Sequence, residues 1–120
     1  MSKILVTLEI NLWEGPEVHI KSKKVERETG KALFVPTMRY VHNRTSPIYS
    51  IGPFNKCHLN EVTSARPGLA RCHFVLEGDL AHSQVRKTPE YRSMVTRMLD
   101  EMHADLITAG THLAQLEDGL

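Results

Sequence analysis

The stretch "LARCHFVLEGDLAHSQVRKTPEYRSMVTRMLDEMHADLITAG", residues 69–110, changes its period partway along, and that change decides the fold. In residues 69–77, Ala70, Cys72, Phe74 and Leu76 alternate with Arg71, His73 and Val75, the period-two pattern of a half-buried strand. From Thr88 onward the apolar residues recur at spacings of three and four instead. Tyr91, Met94, Val95, Met98, Leu99, Met102, Leu106 and Ala109 then share one face of a helix. Thr88 suits the N-cap and Pro89 the first helical position, where its missing N–H costs nothing. Glu90 favours the positive end of the helix dipole, and Gly110 is placed to end the helix. Residues 77–87, "EGDLAHSQVRK", read as a polar connection, and residues 111–120, "THLAQLEDGL", as a short second helix or a tail.

Upstream, the patterning is strand-like throughout. Ile4, Val6, Leu8 and Ile10 alternate with Leu5, Thr7, Glu9 and Asn11; "WEGPE" breaks the strand. "VHIKSKKVE" puts Val18 and Ile20 on one face and His19, Lys21 and Lys23 on the other. "RETGK" reads as a hairpin turn, "ALFVP" as a short strand stopped by Pro36, "TMRYVHNR" as a further strand and "TSPIYSIGPF" as a loop. Residues 56–64 and 69–77 pair as strands around the turn "ARPG". The expectation is α+β: an antiparallel β-meander of about six strands (about 3–77), opened by an N-terminal hairpin and followed by one long and one short C-terminal helix (about 88–117). One helix covers only part of one sheet face, so the other face is left for solvent, a partner or nucleic acid.

A chain of 120 residues with 41% apolar and 24% charged residues fits one globular domain, 1–120. No apolar run approaches the roughly 18–20 residues of a membrane helix, and the alternation at the N-terminus reads as a strand rather than a signal peptide. No membrane partner is expected. Two cysteines are too few for a disulfide scaffold, so a reducing compartment is the default. The net charge of +1 hides an asymmetry: residues 18–87 hold twelve Lys/Arg against five Asp/Glu, and residues 98–120 hold five acids and no Lys or Arg. A basic strand region suggests a polyanion partner, although scattered solvated charge accounts for the same counts.

Residues 56–74, "KCHLNEVTSARPGLARCHF", contain two Cys-His pairs. Zinc needs four converging ligands, whereas adjacent residues in a strand point to opposite faces, and the chain has no C-x2-C knuckle. The residues favour Cys57 and Cys72 as buried core cysteines beneath the helix, with a Cys57–Cys72 disulfide as an alternative. Arg71 and His73 flank Cys72 but point away from it, so no nucleophile is activated there. No metal, cofactor or catalytic role is expected, and the chain reads as a non-enzyme.

The same alternation gathers His19, Lys21, Lys23, His58, Asn60, Arg71 and His73 on the polar sheet faces. A solvated face explains them; so does a nucleic-acid surface, with Lys and Arg on phosphates and Asn or His near bases. No RNP signature, KH loop or P-loop accompanies them. The RNA-binding candidates are Lys21, Lys23, Arg39, His58, Asn60, Arg71 and His73. On the helix, Tyr91, Met94, Met98, Leu99, Met102 and Leu106 are candidates for core packing, for a dimer interface, or for both.

In order of elements the chain resembles the coat proteins of the single-stranded RNA bacteriophages, the levivirus group. The hairpin "KILVTLEINLWEGPEVHIKSKKV", the strand region "GKALFVPTMRYVHNR", the hairpin at 56–74 and the closing helices carry the resemblance through essentially the whole chain. The resemblance implies an interlocked homodimer, with sheets joined edge to edge and helices crossing onto the partner's sheet. It further implies assembly into an icosahedral shell, single-stranded RNA on the uncovered sheet face, and a virion put together in the bacterial host cytoplasm. The chain is richer in His, Met and charge than that family, and "TSPIYSIGPF" interrupts a region where continuous strand is expected. No RNA-binding residue is therefore carried over from the family. The alternative is a small phage- or mobile-element-encoded interaction protein that binds a host protein or nucleic acid.

Overall fold

The computed structural model describes residues 2–40, 42–43 and 45–120. The architecture is α+β: antiparallel strands followed by a short helix and a long C-terminal helix. The strands are β1 (Lys3–Asn11), β2 (Val18–Lys24), β3 (Arg27–Glu28), β4 (Ala32–Arg39), β5 (Ile48–Asn55), β6 (Val62–Arg66) and β7 (Leu69–Glu77). The helices are α1 (His82–Val85) and α2 (Pro89–Asp118). The strands divide between two sheets, one ordered β2-β1-β7-β6 and the other β3-β4-β5.

β1 lies in the middle of the larger sheet because it is the most apolar strand and can be covered on both faces. Ile4, Val6, Leu8 and Ile10 project to one side, where they meet Ile20, Ala70, Cys72, Phe74 and Leu76. Met94, Met98 and Met102, one turn apart along α2, close over this face, joined by Val85 of α1. Thr88 caps α2 by accepting from the Tyr91 N–H at 3.2 Å. On the opposite side, Leu5 and Val75 are covered by Leu33, Val35 and Phe54 of the smaller sheet, together with Leu59. Lys3 and Lys56 both pair with Glu28, which ties the sheets together and holds the Glu28 carboxyl down to about 2.

Several sequence expectations change. β4 runs through Pro36, and β5 forms from the stretch read as a loop, with Pro53 inside it. The Phe34 carbonyl accepts from Glu26 N on the β3 side, so Pro53 opposite Phe34 is asked for no N–H by β4. Pro36 shares Phe34's parity, and β3 ends before reaching it, so its missing donor falls on an open edge. The expected strand "TMRYVHNR" is the end of β4 and a turn; Val41 and Arg44 lie outside the described residues.

The expected strand 56–64 begins only at Val62. Lys56–His58 is a 3-10 turn capped by the Asn55 side chain, which accepts from Cys57 N at 3.0 Å. Asn60 follows at φ 61, a left-handed conformation that Asn tolerates. Cys57 is therefore exposed rather than beneath the helix, and both cysteines are free thiols. α2 continues through Gly110 to Asp118, since one glycine costs a helix only about 1 kcal/mol. The short helix precedes the long one instead of following it. The first half of α2 lies on the chain's own sheet, in contrast to the crossing onto a partner that the resemblance implies.

Candidate nucleic-acid interface

The face of the larger sheet turned away from α2 can be read in rows across β2, β1 and β7. His19, Glu9 and Arg71 form one row; Lys21, Thr7 and His73 the next; Lys23, Leu5 and Val75 the third. The smaller sheet roofs the third row and stops at His73, where the Phe54 ring lies 4.8 Å from the imidazole. The first two rows stay open. They line a cleft of about 400 Å³ with Glu14 and Lys23 at its rim.

Electrostatics within the cleft are uneven. Arg71 donates from Nε at 3.0 Å, and from its second terminal nitrogen, to Glu9 Oε2. That guanidinium holds the Glu9 carboxyl below its usual range. Lys21 and Lys23 belong to none of the ion pairs among the described residues. His73 Nδ1 lies 2.8 Å from Thr7 Oγ1. Burial, then the nearby Arg71, His58 and Lys23, push the His73 imidazole below its ordinary pKa, so it is held neutral. The open cations of the cleft are thus Lys21 and Lys23 on β2, an edge strand reachable from the side.

Of the seven RNA-binding candidates, Lys21, Lys23, Arg71 and His73 come together here. His58, on the 3-10 turn, packs edge-on to Phe54, with ring centroids 6.2 Å apart, and does not line the cleft. Asn60 does not share this face. Its N–H donates to the His73 carbonyl, its carbonyl accepts from Arg97 Nη1 at 2.7 Å, and it borders a groove beside the start of α2. Alternation placed it wrongly because residues 56–60 are not extended. Arg39 sits at the far end of β4 and does not line the cleft. Thr7, Glu9, Glu14 and Phe54 were missed. Thr7 and Glu9 follow from the alternation of β1 once its central position is known; no signal in the sequence marks Phe54.

The four Cys-His residues do not converge. Cys72 lies under α2 with its Sγ 3.4 Å from Met98 Sδ, His73 faces the other way, and Cys57 and His58 sit on the exposed turn. Burial pushes the Cys72 thiol up to about 11. Among the described residues no helix is long and apolar enough to cross a membrane. Of the six helix candidates, Met94, Met98 and Met102 are enclosed by the chain's own sheet and Tyr91 packs at its margin, while Leu99 and Leu106 remain exposed. No protein-family model, curated protein or solved structure matches the chain.

Proposed function

We propose that the chain is a structural protein of the RNA-phage coat type, which binds single-stranded RNA on the open face of its larger sheet and assembles with copies of itself. The observation that carries this reading is the asymmetry of that sheet. One face is sealed by α2, and the other presents Lys21, Lys23, His19, Arg71 and His73 around an open cleft. Lysines on an edge strand suit a phosphate backbone passing over them. The Phe54–His73 pair offers a ring surface for a base, and such stacking tolerates any sequence. The basic strands and acidic helix tail divide the molecule as a shell protein would need, with RNA on one side only. In this reading the shell is built in the host cytoplasm and the protein is a virion component.

The test is purification after expression, followed by negative-stain microscopy and RNA titration. Uniform particles that contain RNA support the reading; a stable monomer that retains no RNA sinks it. Lys21→Ala with Lys23→Ala should make the salt dependence of RNA binding shallower by roughly 1.4 in log–log slope, about 0.7 for each lost single-strand phosphate contact. An unchanged slope refutes the assignment of this face.

A second reading, an interaction protein for a host partner, is favoured by one observation. The outer side of the β4–β5 hairpin carries Pro36, Met38, Tyr49 and Ile51 exposed on paired positions. Absence of particles from the parent chain, with a host protein that co-purifies with it and is lost from Met38→Asp with Tyr49→Asp, favours this second reading; RNA-containing particles from the parent count against it.

A further inference from the structure

Among the described residues the last hydrogen bond between α2 and the sheets runs from Ser64 Oγ to Asp105 Oδ2, at 2.9 Å, and past it Thr108, Ala109 and His112 border a groove with Arg66 and Pro67 of the β6–β7 turn. Beyond it the helix continues to Asp118 with every residue exposed. This segment is far from polar. Ile107 is 70% exposed, Leu113 57%, Leu116 71%, and Leu106 40%. Leu99, Met102, Leu106, Ala109, Leu113, Leu116 and Leu120 follow one another at steps of three, four, three, four, three and four. That is an unbroken 3.5-residue repeat in which no a or d position holds a charged or polar side chain. Met102 satisfies the repeat inside the chain's own core; Leu106 is only partly covered, Ala109 lies beside the β6–β7 turn, and Leu113 and Leu116 stand exposed beyond it.

We propose that this strip is a coiled-coil seam and that its occupant is the same segment of a second copy, running antiparallel. The repeat selects a helix with matching spacing, and the chain itself supplies one. Antiparallel packing sets Leu106 against the partner's Leu116 and Ala109 against the partner's Leu113, so that each layer pairs large with large or small with large. Parallel packing would put the two Ala109 side chains in one layer and leave a void. Antiparallel packing also brings His103 alongside the partner's Glu117, twice by symmetry, and it sets the two sheet bodies at opposite ends. The flanking positions of the tail hold only two acids, Asp105 and Glu117, and in the antiparallel register neither faces the partner's copy of itself, so like charges do not oppose a second copy. Two such strips bury on the order of 1,000–1,200 Å² in total, at the lower edge of stable interfaces. The seam deepens the assembly part of the proposed function and does not depend on RNA.

The test is sedimentation equilibrium of the full chain and of Leu113→Glu with Leu116→Glu. Both substitutions lie outside the core, so the double variant folds, as far-UV circular dichroism of its sheet verifies. Once stripped of RNA and dissociated from any particle, the full chain is expected at twice its 13.6 kDa mass and the double variant as a monomer. A full chain that is monomeric at about 200 µM overturns the proposal, because another partner must then cover the strip; so does a double variant that remains dimeric. In a Cys57→Ser background, Gly110→Cys is expected to form a disulfide-linked dimer and Leu120→Cys is not. The reverse pattern overturns the antiparallel arrangement. RNA retardation by the monomeric variant reads the basic face separately, so failure of the seam and failure of the RNA reading are distinguishable.

Discussion

Met98→Ala tests whether α2 belongs to its own sheet. Met98 is 0% exposed, and its thioether lies 3.4 Å from the Cys72 sulfur in the middle of the helix–sheet contact. Truncation removes three heavy atoms from a packed site, and buried Met→Ala changes cost about 2–5 kcal/mol. A loss of about 3 kcal/mol is roughly two decades in the unfolding equilibrium. With a urea dependence of about 1.5 kcal/mol per molar, the midpoint falls by about 2 M. The measurement is made in the Leu113→Glu/Leu116→Glu background, so that association through the tail does not contribute, and at 2 and 200 µM protein. If the helix lies on its own sheet, the midpoint is independent of concentration. If it lies on a partner's sheet, as the interlocked arrangement requires, a hundredfold dilution lowers apparent stability by about 2.7 kcal/mol. Ile107→Ala, on the exposed tail, should stay within about 0.5 kcal/mol of its parent. A loss below about 1 kcal/mol for Met98→Ala, or a midpoint that moves with concentration, refutes the packing described here.

Gly68 sits at φ +86, and a Cβ there would meet Trp13 Nε1 at 2.8 Å. Gly68→Ala should cost about 1–2 kcal/mol and alter the emission of the single tryptophan, whose indole N–H donates to the Pro67 carbonyl; unchanged fluorescence would refute this contact. His73 has a depressed pKa in the fold, so below the ordinary value of 6.5 the unfolded chain binds a proton that the folded chain resists. Stability should therefore fall as pH drops from 7.5 to 5.0, above the window in which Glu9 and Glu28 are protonated, and His73→Asn should flatten that slope; equal slopes in the two proteins count against it. A thiol reagent should modify one cysteine per chain quickly, Cys57, while Cys72 reacts only on unfolding; two fast thiols would contradict the buried position of Cys72.

What the sequence disclosed followed from regular local periodicity. β1, β2 and β7 alternate without interruption, and the structure keeps their faces: Cys72 under the helix, with Lys21, Lys23, Arg71 and His73 on the other side. Thr88 and Pro89 start α2 where their chemistry places them. The failures lie where one side chain or a distant strand overrides local pattern. The Asn55 cap turns residues 56–58 into a 3-10 turn, so alternation misplaced Cys57, His58 and Asn60. Pro36 and Pro53 look like strand breakers, yet both have their missing donors at positions where no carbonyl waits, a fact of pairing invisible from one segment. The division into two sheets, and Phe54 laid on His73, depend on contacts across the fold. At Gly110 a weak helix-breaking preference lost to the strong helix formers on either side.

The shape of the molecule links the two proposals. The Cα radius of gyration is 17.7 Å, against about 13.6 Å for a compact domain of 120 residues. α2 accounts for part of the excess, since its thirteen residues from Leu106 to Asp118 run on for about 20 Å, past the β6–β7 turn. The far part of the β4–β5 hairpin, past Val35, is a second element outside both cores. A projecting helix of this length is marginal by itself in water, because nucleation is costly and no tertiary face is buried. Its leucines cannot stabilise the monomer, so their 3.5-residue spacing has physical consequence only once a second helix lies on them. The open basic face needs no such partner to exist, because β1, β2 and β7 are fixed from beneath by the methionines of α2. The near half of one helix thus backs the surface proposed for RNA, and its far half carries the strip proposed for another copy; separate substitutions in the two halves test one proposal without the other.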